Sequence, residues 1–104
     1  MGASEWQQKC YLVEWYRPSI TGELLDHTIE KLDECAASLS SKGSLVHLLM
    51  TLAVPTDDVV FGVFEADSTH NVASACDQAG IPAQRVTAVD ARVVHQPENI
   101  QGLT

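Results

Sequence analysis

The chain has little of what chemically specialised small proteins rely on. Its 104 residues hold three cysteines, Cys10, Cys35 and Cys76, an odd number without a Cys-x-x-Cys pair. A disulfide framework is therefore not expected and a reducing cytoplasm is the default setting. Each cysteine reads as a small buried hydrophobe rather than a nucleophile. Basic residues are also scarce: six Lys and Arg against fourteen Asp and Glu leave a formal charge of −8. That balance repels phosphate backbones and anionic headgroups, whose binding needs clustered Lys or Arg, so neither nucleic acid nor membrane is an expected partner. Scattered carboxylates serve first as solubilising charge, with a bound cation as the rarer alternative.

Long apolar runs are missing too, and nothing approaches the roughly 18 residues that suggest a membrane span. The start, "MGASEWQQKC", shows neither a basic n-region nor an apolar h-region, and Trp6 stands where a myristoylation signal needs Ser or Thr. Gly-rich phosphate loops, a Gly-x-Ser-x-Gly elbow, a His-Glu-x-x-His helix and a Cys/His nucleophile pattern are all absent. Nucleotide and hydrolase chemistry thus has no positive signal.

What is present is periodicity. "CYLVEWY" alternates, with Tyr11, Val13 and Trp15 on one face and Leu12, Glu14 and Tyr16 on the other, which predicts a half-buried strand. After "RPSITG", Leu25, Ile29, Leu32, Ala36 and Leu39 repeat at helical spacing, with Thr21 as a cap and Gly43 suited to the left-handed turn that ends the helix. "SLVHLLMTLAV" predicts a second strand whose apolar even positions, Val46 to Val54, face the core. "PTDD" then turns the chain into a third strand, "VVFGVFEADS". A shorter helix follows, capped by Ser68 or Thr69 and stopped by Gly80 and Pro82, and "RVTAVDARVV" closes the pattern as a fourth strand. The order β-α-β-β-α-β predicts an α+β fold, the ferredoxin-like plait: a four-stranded antiparallel sheet with two helices on one face. One domain is expected over residues 1–104, with a core at about 10–93 and polar tails at 1–9 and 94–104.

Two helices cover one face of such a sheet, so function is sought on the other. If the even positions of the second strand face the helices, His47 and Thr51 point to the open face, and the same alternation puts Glu14 and Asp90 there. Glu65 joins them if Val59, Phe61 and Val63 share its face. Imidazole and carboxylates converging on a sheet can bind a divalent cation, with His47, Glu14 and Glu65 as the candidate ligands, or can pair a base with an acid. The plainer alternative is that His47 and Glu14 are hydrogen-bonded within a dimer interface. Glu23, His27 and Glu30 on the first helix allow a surface clamp but fit a solvated polar face equally well. Leu12, Leu45, Leu49 and Phe61 would leave the open face apolar enough to need cover, which predicts a homodimer. Gly62 is the odd residue in a strong strand: it either relaxes packing or marks close approach of a ligand or partner backbone.

Three segments, "YLVEWYRPSITGELL", "LAVPTDDVVFGVFEAD" and "ACDQAGIPAQRVTAV", spanning about residues 10–90, resemble a small family of unknown-function domains. That family includes an actinobacterial nickel-binding protein with a ferredoxin-like fold that dimerises. The resemblance rests on order, spacing and short motifs such as Tyr11-Leu12-Val13-Glu14 and Ala79-Gly80-Ile81-Pro82. It implies nickel or another divalent transition metal as the cofactor. It also implies that Gly62 occupies the place of a family cysteine, Asp67 that of a proline and Ala75 that of a helix histidine. The expected protein is a small cytoplasmic homodimer that binds a transition metal or small ligand, with Glu14, His47, Thr51, Gly62, Glu65 and Asp90 at its site and no catalytic residue assigned. The rivals are a dimeric α+β barrel enzyme, oxygenase- or isomerase-like, with an acid–base residue facing a cavity between sheet and helices, and a plain interaction module.

Overall fold

In a computed structural model the described residues are 9–16 and 22–92. Strands β1 (Cys10–Tyr16), β2 (Val46–Val54), β3 (Val59–Ala66) and β4 (Arg85–Val89) alternate with helices α1 (Gly22–Ser41) and α2 (Thr69–Gln78) in the expected order. The sheet is antiparallel throughout and ordered β2-β3-β1-β4, which is the ferredoxin-like plait. Its centre joins the first strand to the third, so the central pairing links residues some fifty positions apart, Cys10 with Glu65 and Tyr16 with Val59.

Local chemistry sets the element ends. Thr21, the expected cap of α1, lies outside the described residues. The helix stops where Gly43 turns left-handed at φ +96, its N–H reaching Ser40 O at 3.0 Å while Ser44 N–H reaches Leu39 O at 2.9 Å. Ser68 caps α2, its hydroxyl accepting from Asn71 N at 3.2 Å. Gly80 (φ +78) and the bond from Ile81 N–H to Cys76 O end that helix. Pro55–Asp57 form a single 3-10 turn between β2 and β3, closed by Asp58 in the left-handed region. The fourth strand is shorter than its sequence pattern and ends at Val89; the expected continuation past Arg92 lies outside the described residues.

The core lies between the sheet and the helices. Tyr11, Val13 and Trp15 of β1 and Val60, Phe64 and Ala66 of β3 meet Leu32 and Ala36 of α1 and Val72, Ala75 and Cys76 of α2. Trp15 is its largest piece. The indole meets Phe64 edge-on, with ring centroids 6.5 Å apart, and Trp15 Nε1–H donates to Ile81 O at 2.9 Å, so its one polar atom is satisfied in the interior. Gly62 lies against this ring: a Cβ placed there would sit 2.9 Å from both Cη2 and Cζ3 of Trp15 and 3.3 Å from Cε1 of Phe64. Gly62 therefore marks close approach by the protein's own tryptophan, not by a ligand or a partner backbone.

The second strand departs from the expected alternation. Its register against β3 shifts between Leu48 and Met50, so Leu49 is an extra residue, a β-bulge. Before the bulge, Val46 and Leu48 face the helices as the even positions should. After it, Met50, Leu52 and Val54 pair with Val63, Phe61 and Val59 on the open face, and Thr51 and Ala53 pair with Gly62 and Val60 on the helix side. One inserted residue turns every later side chain over.

Candidate functional site

With the faces fixed by register, the open face of the sheet reads as rows across β2, β3, β1 and β4. One row carries His47, Glu65, Cys10 and Val89; the next Met50, Val63, Leu12 and Thr87; the third Leu52, Phe61, Glu14 and Arg85. Val54, Val59 and Tyr16 complete the far end. The middle of the face is thus apolar and its two ends are polar. Met50 and Leu52 are each about half exposed, at 52% and 53%.

The expected site residues separate into three places. His47 lies directly opposite Glu65, and Cys10 flanks Glu65 on the other side, so an imidazole, a carboxylate and a thiol share one row. Glu65 shares its face with Val63, Phe61 and Val59, the arrangement its placement required. Burial raises the Cys10 thiol's pKa first, followed by the neighbouring carboxylates of Glu65 and Asp90, and a protonated thiol is a poor donor to a metal.

Glu14 is elsewhere. It stands opposite Phe61, four residues along β3 from Glu65, a separation of about 13 Å at ~3.3 Å per strand residue. Its side chain is 14% exposed and has its own partners: the Tyr16 hydroxyl donates to Oε1, and Arg85 Nε lies 3.8 Å from Oε2. The hydrogen bond to the Glu14 carboxylate raises the Tyr16 phenol above its ordinary pKa. Asp90 follows the end of β4, exposed and paired with Arg92 at 2.9 Å.

Thr51 and Gly62 are not on this face. Thr51 was placed by unbroken alternation, which the bulge at Leu49 reverses; it pairs with Gly62 on the helix side, where Gly62 makes room for Trp15. The apolar patch likewise has different members. Leu45 precedes β2, and its carbonyl accepts from Asn71 Nδ2 at 3.0 Å and from Asp67 N. Met50, Leu52 and Val63 join Leu12 and Phe61 in the patch instead.

As a metal centre the expected set does not fit. Three or more donors must converge, and among the described residues no three His, Cys, Asp or Glu side chains are grouped to hold an ion. His27 and Glu30 come within 3.9 Å on α1, both largely exposed. The barrel-enzyme reading meets a comparable obstacle. Trp15, Phe64, Leu32, Val13, Val72 and Cys76 fill the space between sheet and helices, and among the described residues no polar or charged side chain is buried there.

Sequence reasoning passed over Cys10, Tyr16 and Arg85. Alternation already put Tyr16 beside Glu14, and Cys10 sits two residues before Leu12 in the same series. Arg85 becomes a neighbour only through the β1–β4 register.

Among the described residues no helix is long and apolar enough to cross a membrane. No family profile and no curated protein sequence matches the chain. The crystal structure of SCO4226 from Streptomyces coelicolor A3(2) superimposes with a TM-score of 0.63, at 16% identity, over 81% of this chain and 99% of that one. At that identity the likeness is one of fold: this chain shares its α+β plait with SCO4226.

Proposed function

We propose that this chain is a homodimeric binding module in which the open sheet faces of two copies pack together, with no catalytic step of its own. The observation that carries the reading is the apolar block Leu12, Met50, Leu52, Phe61 and Val63, contiguous across three strands and set on the face that the helices leave bare. Monomers seldom keep a contiguous apolar patch of this kind in water, because each Å² withheld from burial forgoes roughly 25 cal/mol. Two such sheets stack about 10 Å apart with interleaved side chains. The polar ends then have distinct tasks. The Glu14–Tyr16–Arg85 cluster arrives with its charges matched, and the His47–Glu65–Cys10 row is the place for a small polar ligand at the margin of the interface. The nickel site implied by family resemblance finds no donor set among the described residues of one chain, so no step is assigned to a metal.

Sedimentation of untagged protein at micromolar concentration tests the reading. Leu12→Asp, which puts a charge in the middle of the block, halves the sedimenting mass while the circular dichroism stays that of the folded chain. A monomeric wild type, or an unchanged mass for Leu12→Asp, overturns it.

A further inference from the structure

The β2 edge of the sheet is unlike the β4 edge and unlike itself from one end to the other. At its start, Ser40 of α1 closes the edge: its hydroxyl accepts from Val46 N–H at 3.1 Å and donates to Val46 O at 2.8 Å. Beyond the bulge nothing comparable happens. Among the described residues β3 alone pairs with Met50–Val54, and no other hydrogen bond reaches that segment. The same stretch is bare on both faces, with Met50 and Leu52 exposed on the open side and Ala53 exposed on the helix side. From Leu48 to Val54 there is no charged residue. Natural sheets guard such an edge with charge, proline or a cover, because unpaired backbone groups invite another strand.

We propose that Met50–Val54 is a second self-association surface, which pairs antiparallel with the same segment of another copy about a two-fold axis at Leu52. In that register Met50 opposes Val54, Thr51 opposes Ala53 and Leu52 opposes its own copy. The faces match throughout: Met50, Leu52 and Val54 are open-face residues, whereas Thr51 and Ala53 are helix-side residues. The ladder stops by itself, at the Leu49 bulge on one side and at Pro55, which has no N–H to give, on the other. A partner of different chemistry fits less well. A self-complementary uncharged strand needs no foreign sequence, and the opposite edge is short and bears Arg85, with the Asp90–Arg92 ion pair just beyond it. Joining β2 to β2 closes on itself, whereas joining β2 to β4 would propagate a filament. This pairing uses the backbone edge of β2, although the Met50 and Leu52 side chains also belong to the open-face block, and it stands or falls without the open-face interface; together the two would give a tetramer.

Disulfide trapping tests the register. In a Cys10→Ser, Cys35→Ala background, Leu52→Cys places two thiols directly opposite each other, with Cα atoms about 4.5–5.5 Å apart, inside the range a disulfide accepts. Met50→Cys leaves its pair offset by four residues, about 13 Å. The two positions are equally exposed, at 53% and 52%, so random collision would cross-link both alike. Mild oxidation is expected to give a covalent dimer from Leu52→Cys and not from Met50→Cys, and to do so in the Leu12→Asp background as well. Equal cross-linking at the two sites, or none at Leu52→Cys, overturns the proposal. Ala53→Asp supplies a second readout, since Ala53 is exposed and turned away from the open face: it halves the sedimenting mass while the circular dichroism stays that of the folded chain. An unchanged mass overturns the proposal even where Leu12→Asp dissociates the other interface.

Discussion

Gly62 shows at the scale of one residue how an apparent functional signal resolves into packing. Its φ is not left-handed, so an alanine there strains no backbone, and the stiffer unfolded chain would favour it by about 0.4–1 kcal/mol. Against that gain stands a methyl carbon 2.9 Å from two atoms of a buried indole whose Nε1 is tied to Ile81. Overpacking of this kind costs about 1–3 kcal/mol. Gly62→Ala is therefore expected to lower stability in urea unfolding, and to cost less when Trp15 is first changed to Phe. Tyr16 offers a test in pH. Its raised pKa means that the folded chain holds the phenol proton more tightly than the unfolded chain does. The Glu14–Tyr16 bond contributes below about pH 10, the ordinary tyrosine value, and is lost as pH rises through the folded-state value. Glu14→Gln should move the Tyr16 ultraviolet titration to lower pH; an unmoved midpoint would refute the assignment. Burial, with Asp77 adding to it, pushes the Cys76 thiol up to about 12, and Cys76 is fully enclosed where Cys10 is only partly so, so Cys76 should be alkylated far more slowly than Cys10 in native protein at pH 8 even though the Cys10 thiol is also raised. Nickel titrated calorimetrically into untagged protein should show no tight stoichiometric site. Tight binding abolished by His47→Ala would instead reveal a site assembled around His47.

The bulge in β2 decides, at the scale of the element, what the sheet presents. Leu49 is the unpaired residue, so deleting it should leave the ladder intact on both sides, with Leu48 still facing the helices and Met50 still facing out. Deleting Val63 from the centre of β3 should instead slip the register and turn Phe61 and Gly62 to the wrong faces. Cooperative unfolding retained by the first deletion and lost in the second is the expected pair of results. The same element marks where sequence reading stopped. Period and turn chemistry made the element order legible, along with the helix ends at Gly43 and Gly80 and the core face of β1, because those depend on residues close in sequence. His47, Glu14 and Glu65 were also placed on the correct face. The faces beyond Leu49 were not legible, since an apolar run without polar punctuation reads equally well in either phase. Nor was the distance between Glu14 and Glu65, which only the β1–β3 register sets.

For the whole molecule, the topology fixes an order of events. The middle of the sheet pairs β1 with β3 on one side and with β4 on the other, so the first strand made is the last to be completed. Trp15 is the clearest case: its ring settles against Phe64, and its N–H waits for the carbonyl of Ile81. On a ribosome, a chain that has not yet emerged past Ile81 can lay β1 against β3 but leaves the Trp15 N–H without its acceptor and the β4 side of the strand unpaired. The growing protein thus has a long interval in which the open side of "CYLVEWY" is free to be held by a chaperone or to seek a neighbouring nascent chain. With Trp6 changed to Phe, so that Trp15 is the one tryptophan left, its final burial should appear as a late change in fluorescence, coupled to docking of β4.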